Sequence, residues 1–174
     1  GQRVDKDSSV LLIGSAHPPN MEALKFVTEK LAPLLPKIQF HVLGSVCSTV
    51  VDVPKNVFMW GVVSEDEKSA IMQSARLAIN PVISGGGSNI KTADYLANGL
   101  FTLTTSFGLR GYPDSTSQFC FVCDRTDFCR VIPEALRKAN GIPQDQIKAF
   151  FAKNLSMSVN AKRIIPVLKQ LNEK

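Results

Sequence analysis

Apolar residues in this chain come in short runs, and most of the runs end on glycine. Residues 10–14 (VLLIG), 39–44 (QFHVLG) and 56–61 (NVFMWG) are too brief for helices and rich in aliphatic or aromatic side chains, so each predicts a buried strand. Between them the spacing turns helical. After the loop SAHPP, Asn20 can cap a helix whose Leu24, Val27 and Leu31 share one face. In SEDE, Ser64 and Glu67 form a capping box, and Ile71 and Ala75 follow at helical spacing. RLAINPVI predicts a fourth strand, residues 101–104 a fifth and residues 119–122 the last. Strands alternating with helices indicate a parallel sheet covered on both faces, an α/β, Rossmann-like, doubly wound domain. Ligands of such a sheet bind at the carboxyl ends of the strands, where Gly14, Gly44, Gly61 and the 85–88 loop are expected to meet. The C-terminal part reads as mostly helical, with breaks or kinks expected at Pro133 and Pro166.

The segment 81–99, PVISGGGSNIKTADYLANG, carries the strongest chemical signal. Gly85, Gly86 and Gly87 let backbone approach a ligand without side-chain obstruction, and Ser88 can cap the helix that follows. The free N–H groups of that helix start suit an anion. On a helical wheel Lys91, Asp94 and Asn98 fall on one side, toward a ligand, while Ile90, Ala93, Leu96 and Ala97 fall on the other, toward a sheet. The bland alternative is an exposed Lys91–Asp94 pair worth about 0.2–0.5 kcal/mol. Arg110, flanked by Gly108 and Gly111, could reach a phosphate or only solvent, and His17 reads as structural or surface.

Composition narrows the class. With 174 residues, 44% hydrophobic and 20% charged, residues 1–174 are expected to form one globular domain with a full core. No apolar run approaches the ~20 residues of a membrane helix, and GQRVDKDSS lacks the order of a signal peptide, so a soluble domain is expected. A chain opening on Gly1 reads as a piece of something longer. The net charge of +5 lies wholly in residues 125–174, which carry 10 Lys/Arg against 4 Asp/Glu. Such charge is expected on solvated helix faces, with peripheral contact to an anionic membrane or a phosphorylated acceptor as the alternative. Nucleic acid is not expected, since no basic run is interleaved with aromatics. Cys120 and Cys123 sit in the apolar run FCFVC, with Cys129 on the next helix and Cys47 apart. They read as core thiols and not as zinc ligands, which suggests a reducing, cytoplasmic setting.

Taken together, these segments resemble the nucleotide-sugar-binding, C-terminal half of retaining GT-B glycosyltransferases of the group 1, family 4 type. VLLIGSAHPPNMEAL is similar to that family's first strand, loop and Pro-Asn helix start, and NVFMWGVVS to its base-side segment. INPVISGGGSNIKTADYLANGLFTLTT is similar to its donor-binding signature, SFGLRGY to the next loop, and FCFVCDRTDFCRVIPEAL to its last strand and helix. The resemblance implies a hexosyltransferase-type enzyme acting on a UDP- or GDP-sugar, with no cofactor and no metal. Gly85, Gly86, Gly87, Ser88 and Lys91 would bind the donor diphosphate, and Lys91 would take the catalytic role of stabilising its departure. Asp94 would accept from the ribose hydroxyls, Gly61 and Val62 would contact the base, and Gly14, Ser15 and Arg110 would add further donor contacts. It also implies a missing N-terminal domain that would hold a glycan or lipid-linked acceptor, so the chain alone should bind donor and transfer poorly.

Two departures from the family pattern bear on this. Gly86 stands where the first of a pair of glutamates belongs, and Asp94 where the second does. The loop after the first strand offers Ser15 and His17 in place of the usual Arg and Lys. A catalytically silent nucleotide-sugar-binding module is therefore the alternative. A sugar-nucleotide epimerase would need acid–base carboxylates that have no evident place here. A nicotinamide-dependent dehydrogenase would need G-x-G-x-x-G after the first strand, where GSAHPP stands.

Overall fold

The computed structural model describes residues 6–86, 90–156 and 159. Six strands, β1 (Ser9–Ile13), β2 (Gln39–Leu43), β3 (Val57–Gly61), β4 (Leu77–Asn80), β5 (Phe101–Thr104) and β6 (Cys120–Val122), form one sheet in the order β3-β2-β1-β4-β5-β6. Every neighbouring pair is parallel. This is the doubly wound order expected for a Rossmann-like domain, and its switch point lies between β1 and β4.

Alternation along the strands divides the interior in two. Val10 and Leu12 of β1 face a larger core built with Leu24, Val27, Leu31, Phe128 and Ile132, whereas Leu11 faces a smaller one with Leu43, Met72, Ala78 and Tyr95. The larger core is closed by α1 (Pro18–Phe26), which passes through a π-turn (Val27–Leu31) into the short α2 (Ala32–Leu34), and by α5 (Phe128–Asn140). The smaller is closed by α3 (Glu65–Ser74) and α4 (Ile90–Ala97), with α6 (Gln144–Asn154) packed on α4. Both bonds of the Ser64–Glu67 capping box are present at the start of α3.

Three local expectations are corrected. The N-cap of α1 is His17, without a side-chain bond, and Asn20 lies inside the first turn with its side chain turned elsewhere. Pro133 does not break α5. A proline there removes the bond to the carbonyl of residue 129 and crowds that carbonyl, but the buried stripe of Val131, Ile132, Ala135, Leu136 and Ala139 holds the helix on the sheet. On α4 the buried residues are Thr92, Tyr95 and Leu96, while Ile90 is 70% exposed. Hydroxyl groups can occupy a core face when they are hydrogen-bonded, as both of these are. Ser88, Gly87 and Pro166 lie outside the described residues.

Two contacts shape the top of the sheet. Gly44, at φ +98°, packs so closely on the end of β1 that a Cβ would lie 2.2 Å from the Gly14 carbonyl oxygen. Its N–H meets the Gly61 carbonyl at 2.7 Å, so the three strand-end glycines form a continuous seam. Between β1 and β4 the ladder joins only Val10 with Leu77 and Leu11 with Ala78. Past that point the strands part, and the Tyr95 hydroxyl accepts from the Ile13 N–H (2.9 Å) and donates to the Ile79 carbonyl (3.4 Å).

Candidate functional site

Where β1 and β4 diverge, their following loops leave a cleft of about 670 Å³. Ser15, His17, Pro19 and Asn20 line it from the loop after β1 and the first turn of α1. Val82, Ser84, Gly85 and Gly86 line it from the loop after β4, Ile90 and Lys91 from the start of α4, and Phe107 and Arg110 from the loop after β5. Gly85 has φ +122°, and a Cβ there would stand 3.0 Å from Pro19 Cγ, so the loop after β4 comes close to the first turn of α1 at a position that suits glycine.

A buried polar network fixes these walls. Asn80 Nδ2 donates to Thr92 Oγ1 (3.2 Å), which donates to the Gly108 carbonyl (3.1 Å). The Gly108 N–H donates to Thr105 Oγ1 (3.0 Å), and that hydroxyl donates to the Val82 carbonyl. The Ala93 N–H donates to the Tyr112 hydroxyl (2.9 Å). The loop that carries Arg110 is thus pinned to the helix that carries Lys91. The Arg110 guanidinium lies over the Phe107 ring, 4.3 Å from its centre.

Lys91 is the electrostatic centre of the cleft. Its ammonium donates to Asn20 Oδ1, and no carboxylate lines the cleft among the described residues. Burial therefore acts on it without a compensating anion and pulls its pKa down to about 8. Asp94 is not its partner. That carboxylate is bound by Lys68 of α3 at 2.9 Å, and the bond raises the Lys68 pKa. The i, i+3 pair expected as the bland alternative is absent, and Asp94 lies outside the cleft lining.

Of the other expected contacts, Ser15, Gly85, Gly86, Lys91 and Arg110 come together in the cleft. Gly14 lies beside it, where a Cβ would press on Asn20 at 3.0 Å. Gly61 and Val62 stand at the end of β3, off the lining, with Val62 79% exposed. All four cysteines are free thiols, and burial pushes Cys120 up to about 12 and Cys123 up to about 11. Asn20 and the Asn80–Thr92 network were not anticipated. The signal for Asn20 is its place in the 20, 24, 27, 31 spacing, where a polar residue on an apolar stripe requires a hydrogen-bond partner.

Comparison with known proteins identifies the family. The profile described as Glycosyl transferases group 1 matches residues 7–138. No curated protein gives a significant sequence match. Among solved structures, WaaG, a glycosyltransferase involved in lipopolysaccharide biosynthesis, is similar at 18% identity and a TM-score of 0.63, over 92% of this chain and 47% of that one. AviGT4, a glycosyltransferase involved in avilamycin A biosynthesis, is similar at 17% identity and 0.66, over 97% and 52%. The catalytic domain of cholesterol-alpha-glucosyltransferase from Helicobacter pylori gives 13% identity and 0.55, over 83% and 94%. These identities speak for the fold, which is that of one half of a GT-B enzyme, and the chain spans about half the length of the first two proteins. With a profile match over most of its length and this sheet order, the chain belongs to the group 1 glycosyltransferases.

Proposed function

We propose that this domain is the donor-binding half of a glycosyltransferase that moves a hexose, with retention, from a UDP- or GDP-sugar to an acceptor hydroxyl. The observation that carries the reading is a lysine charge held in a cleft where, among the described residues, no carboxylate lines the wall, at the switch point of a doubly wound sheet. Negative charge develops on the diphosphate as the sugar leaves, and a fixed ammonium, the Arg110 guanidinium and the backbone at Gly85 and Gly86 would stabilise it there. Ser15 would add a hydroxyl. Ribose would bind at Asp94, in competition with Lys68, and the base along Gly61 and Val62. Gly87 and Ser88 would complete the phosphate loop. An N-terminal domain outside this chain would bring the glycan or lipid-linked acceptor, so the domain alone binds donor without efficient transfer. Gly86 at the place of the first glutamate supports the second reading, a catalytically silent nucleotide-sugar-binding module.

Calorimetric titration with UDP- and GDP-sugars, with and without EDTA, tests the proposal. Binding of one donor, unchanged by chelation and lost in Lys91→Ala, is the expected result. No binding of any nucleotide would remove the reading, and loss of binding on chelation would remove its metal-free form. Turnover by the complete protein separates enzyme from silent module.

A further inference from the structure

The Asn20 side chain has one orientation open to it. Its Nδ2 donates to the Ser15 carbonyl oxygen (2.9 Å) and to Ser15 Oγ (3.2 Å). A carbonyl oxygen can only accept, so the amide nitrogen must face it, and Oδ1 is left pointing the other way, onto Lys91 Nζ. Room for this arrangement comes from Gly14, whose missing Cβ would press on Asn20 at 3.0 Å. Asn20 is 9% exposed and joins the loop after β1 to α4 across the cleft. A carboxylate in its place would neutralise the lysine, whereas an amide supplies a hydrogen-bond acceptor of zero net charge.

We propose that Asn20 is the positioning residue of Lys91: it holds the ammonium at the cleft wall and leaves its charge available to a phosphate oxygen. The inference rests on the reading of the cleft as a diphosphate site. Few other charges act on that ammonium. His17 and Arg110 share the cleft, Asp94 on the same helix is engaged by Lys68 of α3, and β4 and β5 present no titratable side chain. On α6, Lys148 approaches α4 at its far end, beside Gly99.

Since a hydrogen bond to the charged form favours that form, Asn20→Ala should make Lys91 lose its proton at lower pH and Asn20→Asp at higher pH. The test is titration of the 174-residue chain with inorganic pyrophosphate from pH 6 to 9.5, together with the amine reactivity of Lys91 over the same range. In the parent protein, affinity should fall about tenfold per pH unit once Lys91 deprotonates, in addition to the ligand's own ionisation, which is common to all variants. The onset should move down in Asn20→Ala and up in Asn20→Asp, with binding at pH 7 roughly tenfold weaker in the aspartate variant. Opposite shifts support the inference, because a merely structural asparagine would change melting temperature and leave both onsets in place. Should the aspartate variant fail to fold, the alanine variant decides by the presence or absence of its downward shift. Pyrophosphate binding with unshifted onsets overturns the role of Asn20 alone. No pyrophosphate binding by the parent protein at any pH overturns the diphosphate reading itself, and this inference with it.

Discussion

In the folded chain the Lys91 ammonium gives up its proton near pH 8, whereas in the unfolded chain it keeps it to about 10.4. Between those values the unfolded chain binds more protons, so this residue makes stability rise with pH, and below about 8 its full burial cost is present. Lys91→Met removes that charge but also leaves Asn20 Oδ1 without its donor, so its gain in melting temperature over the parent should be larger at pH 7 than at pH 9.5, with pyrophosphate binding abolished. Melting curves at pH 7 and 9.5 check this, and an equal gain at both would mean that charge is not the cause. Lysine and glycine loop stand together in the sequence, so this part of the site is legible there. The partner of Lys91 is not, because Asn20 lies 71 residues away and reads locally as a helix cap. Asp94 is half legible: its carboxylate is evident, but nothing in the linear order brings Lys68 to it.

At the scale of elements, the strand ends are readable because parallel strands buried on both faces appear as apolar runs, and a chain turning sharply after each favours glycine. Their mutual contact needs the register. Gly44→Ala meets a backbone oxygen and an unfavourable φ together, so it should cost on the order of 1–3 kcal/mol, read as a lower denaturant midpoint at unchanged slope. Gly86→Ala, whose Cβ would enter open space, should cost far less and serves as the comparison. A second case lies at the β3 edge, where the Trp60 indole N–H donates to His41 Nδ1 (3.1 Å) and the rings stack, while burial lowers the His41 pKa. Protonating Nδ1 breaks that bond. The neutral histidine of the folded chain then contributes stability above about pH 6.5 that is lost as pH falls below it. Trp60 is the only tryptophan, so its emission reports the event directly. The emission should change with a midpoint below 6.5, and a midpoint at or above that value would contradict the burial of His41.

For the molecule as a whole, strand order decides where chemistry can sit. The chain leaves β1 toward one face and β4 toward the other, and there the two following loops part around the cleft. Alternating strands and helices are visible in sequence, but the order of strands in the sheet is a property of long-range pairing. Hydrogen exchange with and without pyrophosphate should show protection confined to amides of residues 15–17, 20, 84–86, 90–93 and 107–110. Protection at the opposite end of the strands, around residues 34–38, would place the ligand elsewhere.

Tyr95 gives that opening a further property. Its hydroxyl stands between two backbone groups that would otherwise approach one another, and the phenol ring behind it is fully buried. The ring cannot shorten, so the gap between β1 and β4 has a set width before any ligand arrives, like a door held by a wedge. A crevice propped in this way spends no conformational entropy on opening. Removing the wedge tip, in Tyr95→Phe, would leave Ile13 and Ile79 each short of a partner at about 1–3 kcal/mol, and whatever enters the cleft would then have to bind a mouth of undefined width.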